Sequence, residues 1–115
     1  VKTDRELLEL AARAIGLSDP SGDDDIWRDA AAGHCVQWNP LEDDGDALRL
    51  AVKLRIDLEW QEDGFGIEAY RREHFSSFCA AETATMGYSI EEATRRAIVR
   101  AAAEIAQASA PAGDA

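Results

Sequence analysis

Four carboxylates, Glu42, Asp43, Asp44 and Asp46, stand directly ahead of the apolar run ALRLAVKL. Carboxylates grouped this closely can hold a divalent cation, assist proton transfer, or supply acceptors to the free N–H groups that open a helix. A calcium loop of the EF-hand kind needs alternating oxygen ligands, a Gly at its sixth position and a Glu at its twelfth. Asp43-Asp44-Gly45-Asp46 has the wrong spacing, and no such loop starts from Asp23 either. Helix initiation is therefore the stronger reading. Asp44 or Asp46 is expected to cap, an interaction worth about 1 kcal/mol, while the neighbouring acids favour the positive end of the helix dipole. A cation shared by the two acidic segments of the chain is the chemical alternative.

His34, Cys35, His74 and Cys79 are the remaining ligand types. Adjacent residues on a strand point to opposite faces, so His34 and Cys35 do not readily bind one ion, and neither pair has the gap of a zinc knuckle. The thiols are expected to be buried and structural, and no metal or cofactor is expected. No nucleophile motif surrounds either cysteine. Gly64-Phe65-Gly66 lies in a hairpin turn and not in a phosphate loop. Arg71-Arg72 and Arg95-Arg96 with Arg100 are the basic clusters. Arg71, Arg72 and Arg95 with Trp38 would suit an anion pocket, for instance for a nucleotide. The more ordinary arrangement pairs such arginines with Glu73, Glu91 and Glu92 on a solvated face. Trp27, Trp38 and Trp60 read as core or loop anchors.

The formal net charge is −11, and residues 18–46 account for −8 of it. Asp19, Asp23, Asp24, Asp25 and Asp29 face only Arg28, and Glu42, Asp43, Asp44 and Asp46 have no base among residues 33–46. Such a field disfavours direct nucleic-acid or anionic-membrane binding and speeds encounters with basic partners. No apolar run approaches the length of a membrane span and no secretory leader is visible, so a cytoplasmic protein with reduced cysteines is expected.

These residues need elements to position them. A chain of 115 residues with 46% hydrophobic content predicts one domain, residues 1–108, and a frayed tail, residues 109–115. Thr3 with Glu6 forms a capping box for a helix running to about Ile15, where Gly16 ends it; Leu7, Leu8, Ala11 and Ile15 face inward. Residues 18–32 read as a loop that Ile26 and Trp27 pin to the body. His34 to Trp38 is a strand ended by Asn39-Pro40. The helix after the carboxylates runs to about Leu54, and is so apolar around its circumference that burial on more than one side is expected. Ile56, Leu58 and Trp60 alternate with Asp57 and Glu59, and Asp63-Gly64 turns the chain into a return strand carrying Phe65, Ile67 and Ala69. HFSSFCA is a candidate third strand or edge continuation. Ser89 with Glu92 opens a last helix to about Gln107, whose inward face is Ile90, Thr94, Ala97, Ile98, Ala101 and Ile105. The order predicts an α+β fold, a small sandwich with a mainly antiparallel sheet of three to four strands packed by three helices.

Three blocks, DRELLELAARAIGL, NPLEDDGDALRLAVKL and ATRRAIVRAAAEI, together resemble the phage ABA-sandwich domain family, small accessory proteins of phages and prophages that are distantly similar to the NinX proteins of lambdoid phages. The three cover about a third of the chain. The resemblance implies a phage accessory protein with a sheet between helices and no assigned activity. The Asp-rich stretch 19–29 and the segment 71–88 depart from the family pattern.

The expectation drawn from charge and resemblance together is a non-enzymatic binding protein. Its partner is a host protein with a basic surface, most aptly a nucleic-acid-dependent defence complex such as a CRISPR effector, whose grooves attract phosphate-like charge. Asp23, Asp24, Asp25 and Asp29, then Glu42, Asp43 and Asp44, are the expected contacts, acting as nucleic-acid mimics in the host cytoplasm. The alternatives are a small-molecule or nucleotide-signal sponge using Arg71, Arg72, Arg95 and Trp38, with its pocket at a homodimer interface, and a phage accessory protein of another role. A metal-assisted enzyme ranks last.

Overall fold

The computed structural model describes residues 2–18, 26–62, 64, 66–71, 79–83 and 89–109, with 79–83 and 109 described by backbone alone. Helix α1, Asp4–Ala14, begins at the expected capping box. Thr3 Oγ1 accepts from Glu6 N at 3.2 Å, and Glu6 Oε1 accepts from Thr3 N at 3.3 Å, so two otherwise orphaned donors are satisfied reciprocally. Leu7, Leu8, Ala11 and Ala12 form its buried stripe. Gly16, at φ +84°, turns the chain out of the helix in a conformation that a side chain would strain.

The stretch read as a loop, residues 18–32, contains one strand and the end of another. β1 (Leu17–Ser18), β2 (Ile26–Asp29) and β3 (His34–Gln37) form an antiparallel sheet in that order. Trp27 faces inward from β2 at 1% exposure, opposite Val36, while Ile26 and Arg28 turn outward. That alternation is too short to stand out against the Asp, Gly and Pro around it. Trp27 meets Trp38 edge to face, with ring centroids 5.5 Å apart, and the Arg5 guanidinium lies 4.8 Å from the Trp27 ring centroid. These contacts fasten the sheet to α1.

Helix α2 spans Asp44–Leu54. It stops at Arg55, which takes the left-handed conformation at φ 56°, and Ile56 N donates to Ala51 O at 2.9 Å across the cap. Lys53 Nζ donates to Ile15 O at 3.3 Å and ties the end of α2 to the end of α1.

A second antiparallel sheet follows: β4 (Asp57–Trp60), β5 (Gly66–Tyr70) and β6 (Cys79–Thr83), in the order β4-β5-β6. Leu58 pairs with Ala69 and Trp60 with Ile67 on the face toward the last helix. Asp57, Glu59, Glu68 and Tyr70 occupy the other face, where Tyr70 Oη donates to Glu59 Oε2 at 3.4 Å. Of the candidate strand HFSSFCA, Cys79 and Ala80 belong to β6; residues 72–78 lie outside the described residues, as do Asp63 and Phe65 of the hairpin turn.

Helix α3, Ile90–Ser109, starts where Ser89 Oγ accepts from Glu92 N at 3.0 Å and donates to Glu92 Oε1 at 3.4 Å. Both α1 and α2 pack on it, and so do β5 and β6. Contact on several sides explains why its burial is wider than the single expected stripe. Ala93, Ala97, Ile98, Val99, Ala101, Ala102, Ala103, Ile105 and Ala106 are all buried. Alanine lets neighbouring backbones approach closely and carries no side-chain entropy cost. Among the described residues the architecture is α+β with three helices and antiparallel strands, as expected, but the strands divide into two small sheets instead of one.

Candidate docking face at the start of the second helix

Asn39 organises the approach to α2. Its backbone carbonyl accepts from Glu42 N and Asp43 N at 3.1 and 2.9 Å, and its side-chain Oδ1 accepts from Leu41 N at 3.1 Å. The N-cap is Asp43, one residue ahead of the expected position, with Oδ2 accepting from Asp46 N at 2.8 Å. Asp44 and Asp46, the expected caps, have other duties. Asp46 Oδ2 accepts from Asn39 N at 2.9 Å and its Oδ1 accepts from Arg49 Nη2 at 2.8 Å. Asp44 Oδ1 accepts from Arg95 Nη1 at 2.6 Å, and Arg95 Nε donates to Leu41 O at 2.9 Å. The capping oxygen lies on Asp43 because the Asn39 turn leaves that residue extended, at φ −109° and ψ 119°, while Asp44 is already helical.

The structure thus separates the carboxylates by role. Asp44 and Asp46 are each bonded to an arginine, and Arg49 Nη2 also lies 3.7 Å from Asp43 Oδ2. Glu42 is exposed, and no side-chain partner for it exists among the described residues. Glu42, Asp43 and Asp46 line an open cleft of about 460 Å³ with Gln37 and Asn39. Asp29 sits apart at the β2–β3 turn, where its Oδ1 accepts from Ala31 N and Ala32 N, both at 3.1 Å. Asp23, Asp24 and Asp25 lie outside the described residues. Among the described residues no group of three or more His, Cys, Asp or Glu side chains is placed to hold a metal ion.

Two residues of the expected anion pocket, Trp38 and Arg95, are used elsewhere. Trp38 is buried at 6% exposure against Trp27, which leaves no ring face for a base. Arg95 is committed to Leu41 and Asp44. Arg71 follows β5 half-buried, and Arg72 lies outside the described residues. Basic side chains instead gather where α1 begins beside α3: Lys2, Arg96 and Arg100, with Glu104, border a cleft of about 400 Å³. Arg96 Nη1 donates to Asp4 Oδ1 there at 3.1 Å. Cys35, expected to be buried, is an exposed free thiol.

Sequence reasoning missed an apolar surface. The second apolar flank of α2 is not covered: Leu48 is 62% and Val52 68% exposed. Trp60, on the α3 side of β4, is 54% exposed, and its Nε1 donates to Thr94 Oγ1 at 3.3 Å. Leu48, Leu58, Trp60 and Ile98 line a groove of about 280 Å³ between α2, β4 and α3, bordered by Asp44, Glu91 and Arg95. The signal for it was present in LRLAVKL, whose apolar residues exceed what one buried face needs. No helix among the described residues is long and apolar enough to cross a membrane. Comparison with family models, with curated proteins and with solved structures finds no match to this chain.

Proposed function

We propose that this chain is a small non-enzymatic binding protein that occupies a basic surface on a protein partner. The observation that carries the reading is the surplus of carboxylate at the start of α2. Four acids meet two arginines there, Arg49 and Arg95, and Glu42 stands exposed with neither. The cap and turn bonds fix the backbone that carries these acids and the Asp43 carboxylate itself, which lowers the ordering entropy lost when a partner engages them. The resemblance to phage ABA-sandwich proteins supports a phage setting. The exposed charge favours a nucleic-acid-dependent host defence complex as the partner class, since the grooves of such complexes are built to take phosphate charge.

Affinity capture from host lysate at low and high salt, followed by titration of the purified partner, tests this. Binding that weakens steeply with salt and with the paired changes Glu42→Gln and Asp43→Asn is expected. Salt-independent binding, or full affinity in that double variant and in Asp23→Asn/Asp24→Asn/Asp25→Asn, overturns it.

A second reading, a small-anion binder, is favoured by the Lys2–Arg96–Arg100 cleft. Thermal shifts across inorganic phosphate and nucleotides test it. An upward shift that Arg100→Gln abolishes supports this reading, and no shift with any of them removes it.

A further inference from the structure

Exposed apolar side chains gather at the groove between α2, β4 and α3. Four large apolar side chains are exposed among the described residues, and three of them, Leu48, Val52 and Trp60, belong to this one face. Leu48 of α2 and Trp60 of β4 both line the groove, and Val52 continues the Leu48 ridge one helical turn further along α2. Leaving apolar side chains in water at three neighbouring points is unfavourable, and such patches mark interaction sites.

The charge around the groove restricts what can cover it. Asp44 and Glu91 border it, Glu42 and Asp43 stand exposed just ahead of α2, and the cation in its wall, Arg95, is held by Leu41 and Asp44. A second copy of a chain with net charge −11 would bring like fields together and pay repulsion at every approach. The volume, about 280 Å³, lies at the lower limit of small-ligand pockets. It suits an anchoring side chain better than an enclosed metabolite. The Leu48–Val52 ridge has i,i+4 spacing, the same spacing at which a second helix presents its own apolar side chains.

We infer that this groove seats the apolar face of a basic amphipathic helix belonging to the protein partner. Its leucine-like anchors sit between Leu48 and Trp60, and its lysines or arginines lie over Asp44, Glu91 and Glu42. The inference rests on the binding-protein reading above and supplies the contact residues that reading lacks. Charge brings the partner in, and the groove holds it.

The test uses three synthetic peptides of equal length. One carries Leu at i, i+3, i+4 and i+7 with Lys elsewhere. The second has the same composition with its leucines dispersed around the helix. The third keeps the first leucine spacing but replaces every Lys with Glu. Titration into the full chain is followed by tryptophan emission, in which Trp60 is the exposed fluorophore, and by calorimetry. The first peptide is expected to bind and to shift the emission. The dispersed and acidic peptides are expected to bind about tenfold or more weakly. Leu48→Ser with Val52→Ser, both at exposed positions and so compatible with an unchanged melting temperature, is expected to lower affinity for the first peptide by a similar factor.

Equal binding of the dispersed peptide overturns the groove while leaving the acidic-binder reading intact. Equal binding of the acidic peptide overturns the charge-guided docking proposed here and the acidic-binder reading with it. Failure of all three peptides to bind overturns the inference. So does concentration-dependent dimerisation, measured by sedimentation, that Leu48→Ser/Val52→Ser abolishes, because the covering partner is then a second copy.

Discussion

Arg95 reaches across from α3 to the start of α2, where one guanidinium serves two acceptors, Leu41 O at 2.9 Å and Asp44 Oδ1 at 2.6 Å. The two bonds are not equivalent. Asp44 is 80% exposed, so its ion pair is screened by water, whereas the Arg95 side chain is only 16% exposed and its bond to the Leu41 carbonyl is part-buried. Asp44→Asn is therefore expected to change unfolding free energy by less than about 1 kcal/mol. Arg95→Ala leaves a part-buried carbonyl without its donor and is expected to cost about 1.5–3 kcal/mol. Urea denaturation of both variants checks the asymmetry, and equal losses would contradict it.

Asp43 and Asp46 separate charge from hydrogen bonding. Asn caps a helix about as well as Asp, so Asp43→Asn is expected to stay within a few tenths of a kcal/mol of the parent, and Asp43→Ala to lose about 1 kcal/mol. Asp46→Ala removes acceptors from both Asn39 N and Arg49 and is expected to cost more than Asp43→Ala. Chemical denaturation of the three variants ranks them.

Trp27 is the side chain on which the β1–β3 sheet depends. It is 1% exposed, and its Nε1 has no hydrogen-bond partner among the described residues. Trp27→Ala is expected to lose about 3–5 kcal/mol. Trp27→Phe gives up ring area but also removes a buried unpartnered N–H, and a loss of under about 2 kcal/mol is expected. Thermal melts of the pair test this.

The three tryptophans differ in their contact with water. Acrylamide is expected to quench Trp60, 54% exposed, while sparing Trp27 and Trp38, at 1% and 6%. Trp60→Phe should then leave an emission that quencher barely affects. Strong residual quenching in that variant would show that β2 and β3 open readily.

Cys35 lies on β3 with its thiol exposed. A thiol reagent such as Ellman's is expected to modify it in the folded protein without denaturant. Cys35→Ser should abolish the fast phase.

Much of this fold is legible locally, because caps are local. Thr3 with Glu6 and Ser89 with Glu92 mark the starts of α1 and α3 within a residue, and Gly16 marks the end of α1. β2 was not legible. Its inward residue is one tryptophan, and its pairing with β3 depends on a turn that Asp29 and Gly33 close, with Gly33 N donating to Asp29 O at 2.8 Å. The identity of the capping aspartate also escaped, since choosing among Asp43, Asp44 and Asp46 requires knowing the backbone path from Asn39. The docking groove was hidden for a different reason. Apolar periodicity in LRLAVKL states how much surface avoids water but not which molecule covers it, and the chain itself covers only one flank of α2. Pairing of Asp44 with Arg95 spans 51 positions and is a tertiary fact that no local pattern encodes.

The alanine-rich α3 sets a limit on how this molecule can change. With Ala97, Ala101 and Ala102 at 0% exposure and neighbours on several sides, a larger side chain there crowds the packed elements and is expected to be destabilising. The walls of the groove hang from that same axis, Ile98 directly and Trp60 through Thr94. Drift in the middle of the molecule would therefore alter the width of the opening. Variation that retunes partner choice is consequently confined to the rim and to the outward flank of α2, where side chains can be exchanged without disturbing the spine.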